Sequence, residues 1–293
     1  EVKDKNNTLV YEYSWVGKPD ESFTWDGRGK DGRYLSDGNY SLRLITTDRA
    51  GNTGGSQPVN FRIDTADTPV LLSVEHDAFS PNNDGRRDTL KIIPQAKVVE
   101  GVDNYTLSIK NEAGTEVRRF AGKERLDESY LWDGMTQNNT KAPDGAYTAE
   151  IRVEYINGNI SSARTQPFYL DTEAPEASAT GDLALFSPNN DGFKDILRIT
   201  QNGSSEELWE GKITDAQNNL VRKFSWRDKP EAVLVWNGIG DNNRQVPDGV
   251  YTYTLASEDR AGNIGTSKTV TFEILTIATP LSLSANLEAF SPN

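Results

Sequence analysis

Three unrelated landmarks recur along this chain in one register, and no other feature limits its fold so tightly. The phrase FSP begins at Phe79, Phe186 and Phe290, spaced by 107 and then 104 residues. The tryptophan of WDG or WNG stands at Trp25, Trp132 and Trp236, at the same two spacings. After each tryptophan an Asp-Gly pair begins at twelve residues and a tyrosine follows at fifteen: Asp37 and Tyr40, Asp144 and Tyr147, Asp248 and Tyr251. Self-similarity at a fixed period marks an array of like units, and this period is the size of a small domain.

The register also sets expected boundaries. Asp4–Trp15 (DKNNTLVYEYSW) aligns with Asp215–Trp226 (DAQNNLVRKFSW), which places the FSP phrase of the first unit about 28 positions before Glu1. Residues 1–67 are therefore expected to be a partial domain lacking its opening strands. Residues 68–175 and 176–279 are expected to be complete domains, and 280–293 the start of a further one, so the chain reads as a window on a longer string. The joints fall at Ile63–Pro69, Leu170–Pro175 and Ile274–Pro280, each an exit strand followed by a short Thr/Ala/Pro hinge. Hinges this short predict a semi-rigid string.

Within a unit the hydrophobic period is two. In AYTAEIRVEY, Tyr147, Ala149, Ile151, Val153 and Tyr155 share one face, as do Tyr105, Leu107 and Ile109 in YTLSI and Phe272 and Ile274 in TFEI. Turn phrases separate these runs: EAG at Glu112–Gly114, PDG at Pro143–Gly145 and Pro247–Gly249, AGN at Ala50–Asn52 and Ala261–Asn263. No long segment has a helical period. About seven short strands in each period of about 105 residues predict an all-β chain of tandem immunoglobulin-like β-sandwiches. At about 3.3 Å per residue such units are about 30–40 Å long, giving an extended rod on the order of 100 Å.

Composition excludes several functions. The net charge of −13 repels nucleic acid and anionic membranes, so neither is an expected partner. With no cysteine, disulfides and thiolate chemistry are absent. No apolar stretch is long enough to span a bilayer as a helix, so no direct membrane insertion is expected of this segment.

The run W-N-G at Trp236–Gly238, P-D-G-V-Y at Pro247–Tyr251, Leu255, and D-R-A-G-N at Asp259–Asn263 resembles the Ig-like domain named after the flagellar hook-capping protein. The F-S-P-N-x-D-G-x-x-D opening is similar to modules of bacterial surface proteins, including those of gliding motility. The resemblance extends over the whole chain as copies of one module. It implies an Ig-like fold, a structural or presenting role, and a bacterial envelope or secreted setting. The middle copy departs from it, carrying Tyr155-Ile156-Asn157-Gly158-Asn159 where the others have D-x-A-G-N.

The opening phrase is the candidate site. Ser80, Asn82 and Asp84 put oxygens at alternate positions, Gly85 permits a sharp turn, and the Arg86 carbonyl and Asp88 follow. The second copy offers Ser187, Asn189, Asp191, the Phe193 carbonyl and Asp195. This spacing follows a calcium loop at positions 1, 3, 5, 7 and 9, although Ser replaces its first Asp and no Glu falls at position 12. Two readings stand: a structural calcium ion, or a turn whose Asn and Asp side chains cap its own backbone. The landmark tryptophans read as core, each tyrosine after Asp-Gly as a tyrosine corner, and the Asp-Gly pairs as hairpin turns. GRGKDG at Gly27–Gly32 fits a dinucleotide fingerprint by spelling only, since strand signals follow where a helix is required. His76 has no partner set, and no catalytic residues or required cofactor are expected.

The sequence thus points to a stalk, spacer or filament component of a large bacterial protein, in the periplasm, at the cell surface or secreted. Its expected partners are other domains of the same chain, with self-assembly or a surface partner beside them. The alternatives are an adhesive or carbohydrate-binding module using end loops, and an accessory region of a secreted enzyme.

Overall fold

The computed structural model describes residues 1–278 and 280–284, and every regular element in them is a strand. The FSPN at Phe290–Asn293, expected to open a further domain, lies outside the described residues, as does Thr279. The chain divides into two compact units. One contains Glu1–Glu75, Lys91–Ala142 and Tyr147–Pro167; the other contains His76–Leu90, Pro143–Ala146 and the chain from Phe168 onward.

In the second unit, a full sandwich forms from two sheets. The smaller sheet has the order Ala177–Gly181, Leu197–Gly203, Val233–Trp236. The larger runs Leu185–Phe186, Val270–Ile274, Gly249–Glu258, Glu206–Asp215, Leu220–Asp228, with Ile264–Thr266 also paired to Gly249–Glu258. Leu185–Phe186 lies parallel to Val270–Ile274, and the other pairs are antiparallel. Period-two patterning sends one face of each sheet inward. Leu197, Ile199, Leu234 and Trp236 from the smaller sheet meet Ile213, Tyr251, Tyr253, Leu255 and Phe272 from the larger in one buried core. Trp236 sits among Phe186, Tyr251 and Phe272, with ring centroids 5.6–6.1 Å away.

The first unit repeats parts of this plan. Val102–Asn111 lies between Glu116–Glu124 and Gly145–Tyr155, with Ile160–Arg164 paired to the latter. Tyr105, Leu107, Ile109, Tyr147, Ala149, Ile151, Val153 and Tyr155 are all buried, the set that alternation selects. Val70–Val74 pairs with Leu90–Ala96. Near the start, Leu9–Tyr11, Val2–Asp4, Gly38–Leu42 and Val59–Ile63 form a sheet in that order, and Ile45–Thr47 pairs with Thr53–Gly55.

Landmark side chains fill the same posts in successive repeats. The indole nitrogens of Trp25, Trp132 and Trp236 donate to the carbonyls of Arg28, Met135 and Ile239, each at 2.9 Å. This tethers the turn after the strand and gives each of the three indole N–H groups an acceptor. The Tyr40 hydroxyl donates to Ser36 O at 2.8 Å and that of Tyr251 to Pro247 O at 2.7 Å, the tyrosine-corner arrangement. GRGKDG is a turn, closed by the Gly29 amide donating to Arg33 O.

The Asp-Gly pairs differ from the hairpin turns that the spelling suggests. Gly38, Gly145 and Gly249 each open a strand, at φ +158°, +149° and +154°, a region that residues with a Cβ avoid. The preceding aspartates reach across the fold. Asp37 accepts from the amide and hydroxyl of Thr65, Asp144 from those of Thr172, and Asp248 from those of Thr276. Each pair spans 28 residues, so the carboxylate fastens the exit of the last strand to the start of an earlier one. The Thr276 hydroxyl, and then its amide, hold the Asp248 carboxyl below its ordinary value.

Candidate functional site, the joint between repeats

The phrase loops fold alike in both copies. The Ser80 amide donates to Arg87 O and the Ser187 amide to Lys194 O, closing each loop at 3.0 and 2.9 Å. Asn82 Oδ1 accepts from the Asp84 amide, and Asp84 Oδ1 from the Arg86 amide at 2.8 Å. Asp88 takes the Asn83 amide at 2.6 Å and the Gly85 amide at 2.8 Å, one on each oxygen. Asn189, Asp191 and Asp195 make the same bonds one repeat later. The Phe193 main-chain amide, and then the Asn189 side-chain Nδ2, hold the Asp191 carboxyl below its ordinary value.

Every oxygen of Asp84 and Asp88 therefore already accepts a hydrogen bond from its own loop, Asp84 Oδ2 from Asn82 Nδ2 at 3.0 Å. Ser80 is wholly buried and its hydroxyl has no hydrogen-bond partner, while Ser187 is half-buried. Arg86 and Phe193 enter the calcium reading through their carbonyls alone; their side chains lie elsewhere, Arg86 paired with Glu258 and Phe193 80% exposed. Among the described residues, no group of three or more His, Cys, Asp or Glu converges as a metal-binding set. A self-capped turn predicts a melting midpoint that calcium and chelator leave equal, with Asp88→Ala costing about 1–3 kcal/mol as two amides lose their acceptor. A calcium-dependent rise in the midpoint, abolished in Asp88→Ala, would instead assign the loop an ion.

What the first phrase loop does is visible in its neighbours within the second unit. It lies against the turn Asp259–Asn263. Asn82 Nδ2 donates to Asn263 Oδ1 at 3.2 Å, and the Arg87 guanidinium donates to the Arg260 carbonyl. Arg86 and Glu258 form an ion pair at 2.8 Å with both side chains about half exposed, a geometry worth little in water. Asn263, only 2% exposed, is the hub. Its Nδ2 donates to Asp171 O at 2.9 Å, with a longer contact to Glu173 O, and also to Asp259 Oδ2 at 2.9 Å. One side chain thus holds the preceding linker, the preceding phrase loop and its own turn. Burial lifts the Asp171 carboxyl above its ordinary range, and the nearby charges of Asp259 and Asp144 add to the rise.

A matching clamp occurs in the first unit with its parts redistributed. Asn159 Nδ2 donates to Ala66 O at 2.8 Å, and Asn157 Nδ2 to Asp64 O at 3.2 Å. In register, Asn159 stands for Asn263, and Asn157 takes over the carbonyl that Asn263 reaches at Asp171. Asn157 also caps the turn, its Oδ1 accepting from the Asn159 amide at 3.0 Å, as Asp259 Oδ1 does from the Asn263 amide at 2.9 Å. The YINGN departure therefore preserves the clamp. Next to it, Thr68 Oγ1 and Ser161 Oγ hydrogen-bond at 2.8 Å. Their register counterparts are Pro175 and Gly265, where a Cβ on the glycine would run into the Pro175 carbonyl.

Sequence reasoning found the phrase loops and missed the clamp. The signal was the asparagine common to AGN and NGN, the one side chain that both versions of the turn share. The sequence profile of the FlgD Ig-like domain matches residues 1–50 and 91–157. Both stretches are similar to that domain. The two matched stretches end 107 residues apart, at the landmark spacing. No curated protein matches the chain in sequence. Among solved structures, it is similar to a tetra-tandem repeat in the extending region of a large adhesion protein: 19% identity, TM-score 0.31, 94% of this chain and 66% of that one. A 1.5-MDa bacterial ice-binding adhesin gives 12% identity and TM-score 0.35, with 82% and 74% covered. The fibronectin(III)-like modules of Clostridium thermocellum CbhA give 10% identity and TM-score 0.39, with 73% and 100% covered.

Proposed function

We propose that this chain is a structural segment of a larger bacterial surface, periplasmic or secreted protein, acting as a stalk or spacer. In this reading residues 68–175 and 176–279 are complete Ig-like domains and 1–67 and 280–293 are parts of neighbours, strung as an extended rod. The chain itself performs no catalysis. The observation that carries this is the recurrence of the asparagine clamp: Asn159 and Asn263 each bind main-chain carbonyls of the linker before them. A linker held at its backbone cannot swing freely, and a spacer needs that stiffness to hold its load at a distance.

The adhesive or carbohydrate-binding alternative needs an aromatic platform on loops. The exposed aromatics Tyr13 and Phe23 pack at 5.2 Å, yet they occupy the register positions of two strand residues, Phe224, packed against the core, and Leu234, within it. Small-angle scattering of the full chain tests the spacer reading. An elongated distance distribution reaching on the order of 100 Å is expected, and Asn159→Ala with Asn263→Ala should broaden it. A globular distribution overturns the reading.

A further inference from the structure

The joints at Ile63–Pro69, Leu170–Pro175 and Ile274–Pro280 diverge, yet each keeps a threonine at its third position: Thr65, Thr172 and Thr276. Each threonine is held by the aspartate 28 residues before it. The amide and hydroxyl of Thr65 reach Asp37 at 3.0 and 2.7 Å. Those of Thr172 reach Asp144 at 2.8 and 2.9 Å, and those of Thr276 reach Asp248 at 3.0 and 2.8 Å. The threonines stand just beyond the exit strands Val59–Ile63, Phe168–Leu170 and Val270–Ile274, where the chain passes into its linker. Thr172 also lies between Asp171 and Glu173, whose carbonyls Asn263 holds.

Entry and exit strands are paired in a particular sense. Leu185–Phe186 runs parallel to Val270–Ile274, the Glu273 amide donating to Ala184 O at 2.9 Å and the Leu275 amide to Phe186 O at 3.2 Å. Ala78–Phe79 runs parallel to Phe168–Leu170 in the same pattern, Tyr169 donating to Asp77 O at 2.8 Å and Asp171 to Phe79 O at 3.1 Å. When the two strands are parallel, opposed pulls on the chain ends slide one strand along the other. Their evenly spaced bonds are then loaded together instead of opening one at a time.

We propose that the Asp–Thr pair is a tension latch, and that this segment transmits pulling force along the chain. The inference rests on the spacer reading and adds to it the load that the spacer carries. Pull on the linker reaches Thr276 before it reaches the exit strand, and Asp248 passes it to Gly249–Glu258. That strand lies inside the larger sheet, with Tyr251, Tyr253 and Leu255 in the core. The latch bonds are charge-assisted, the stronger kind. They hold the Asp248 carboxyl below its ordinary value, so it is ionised at neutral pH. What distinguishes a latch from a general brace is its place: the point where force leaves each repeat, kept while the linker around it diverges.

The test is constant tension on the full chain in magnetic tweezers, with handles at Glu1 and Asn293. Unfolding of the sandwich between Ala177 and Ile274 should release about 300 Å, at about 3.3–3.6 Å per residue. Asp248→Ala should shorten the lifetime of that sandwich at least about tenfold, the equivalent of about 1.4 kcal/mol. Thr276→Val keeps the amide bond and loses the hydroxyl bond, so it should shorten the lifetime about fivefold. It keeps the proposal testable should the first variant fail to fold. Moving the second handle to Gln217→Cys, in an exposed turn of a chain without cysteine, pulls on the sandwich without loading its exit strand. There both variants should change the lifetime less than about twofold. Unchanged lifetimes under end-to-end tension, or equal shortening in both geometries, overturn the proposal. Scattering of the relaxed chain tests the spacer reading separately, so a compact chain with a working latch and a rod without one are told apart.

Discussion

Trp236→Ala removes the centre of the sandwich core and is expected to cost about 3–5 kcal/mol. The indole is 2% exposed and has three aromatic rings within 6.1 Å, so little can move in to fill the space it leaves. The substitution also frees the Ile239 carbonyl from its bond to the indole nitrogen. Such a loss is comparable with the whole stability of a domain of this size, about 5–15 kcal/mol. Hydrogen exchange read by mass spectrometry should show the strands between Leu197 and Ile274 losing protection together, with Val102–Asn111 unaffected. Trp236→Phe, which keeps an aromatic ring, should lose less. A cost below about 1 kcal/mol would mean that the packing described for this ring is wrong.

Gly265→Ala is expected to open the joint while leaving that core intact. The added methyl would overlap the Pro175 carbonyl oxygen and approach its carbon and the proline Cβ at 2.7 Å. Two of those atoms are backbone, so relief requires the linker itself to move, and overpacking of this kind costs about 1–3 kcal/mol. Once Pro175 moves, Asn263 loses the carbonyls of Asp171 and Glu173. Exchange should then accelerate at Asp171–Glu176 and Asp259–Asn263 and stay unchanged at Trp236. Gly211→Ala is the converse control, because its Cβ would strike the buried Tyr253 hydroxyl inside the core. Undisturbed exchange at the linker in Gly265→Ala would show that the Pro175 contact does not hold the joint.

Much of the fold was legible because it rests on local rules. Period-two alternation selected the buried face of Gly145–Tyr155 residue by residue, and the fixed spacing of Trp, Asp-Gly and Tyr placed the tethered turn and the tyrosine corner. The phrase loop was legible as a turn, since Asn and Asp at alternate positions with glycine after them favour side-chain caps over a continuing strand. Two readings went astray for one reason. Asp-Gly is a good hairpin signal locally, but here the aspartate is claimed by a threonine 28 residues away. The A-G-N phrase was read only as a turn signal, whereas the joint depends on its asparagine. Asp259 is replaceable because Asn157 can cap the same turn from a position two residues later in the register.

The sequence by itself determined what each repeat is: its strands, which side chains they bury, and the turns that join them. These follow from propensities and periodicities that act over a few residues, and three copies in register made them unmistakable. Tertiary structure alone decided what the repeats do to one another. Whether Asn82 meets Asn263, or Gly265 meets Pro175, depends on groups far apart in the chain arriving at one place. The two phrase loops have the same internal bonds, so their local chemistry does not distinguish a seated loop from an exposed one. The seat of the first loop, the turn Asp259–Asn263, lies far along the chain, where no short-range rule reaches it.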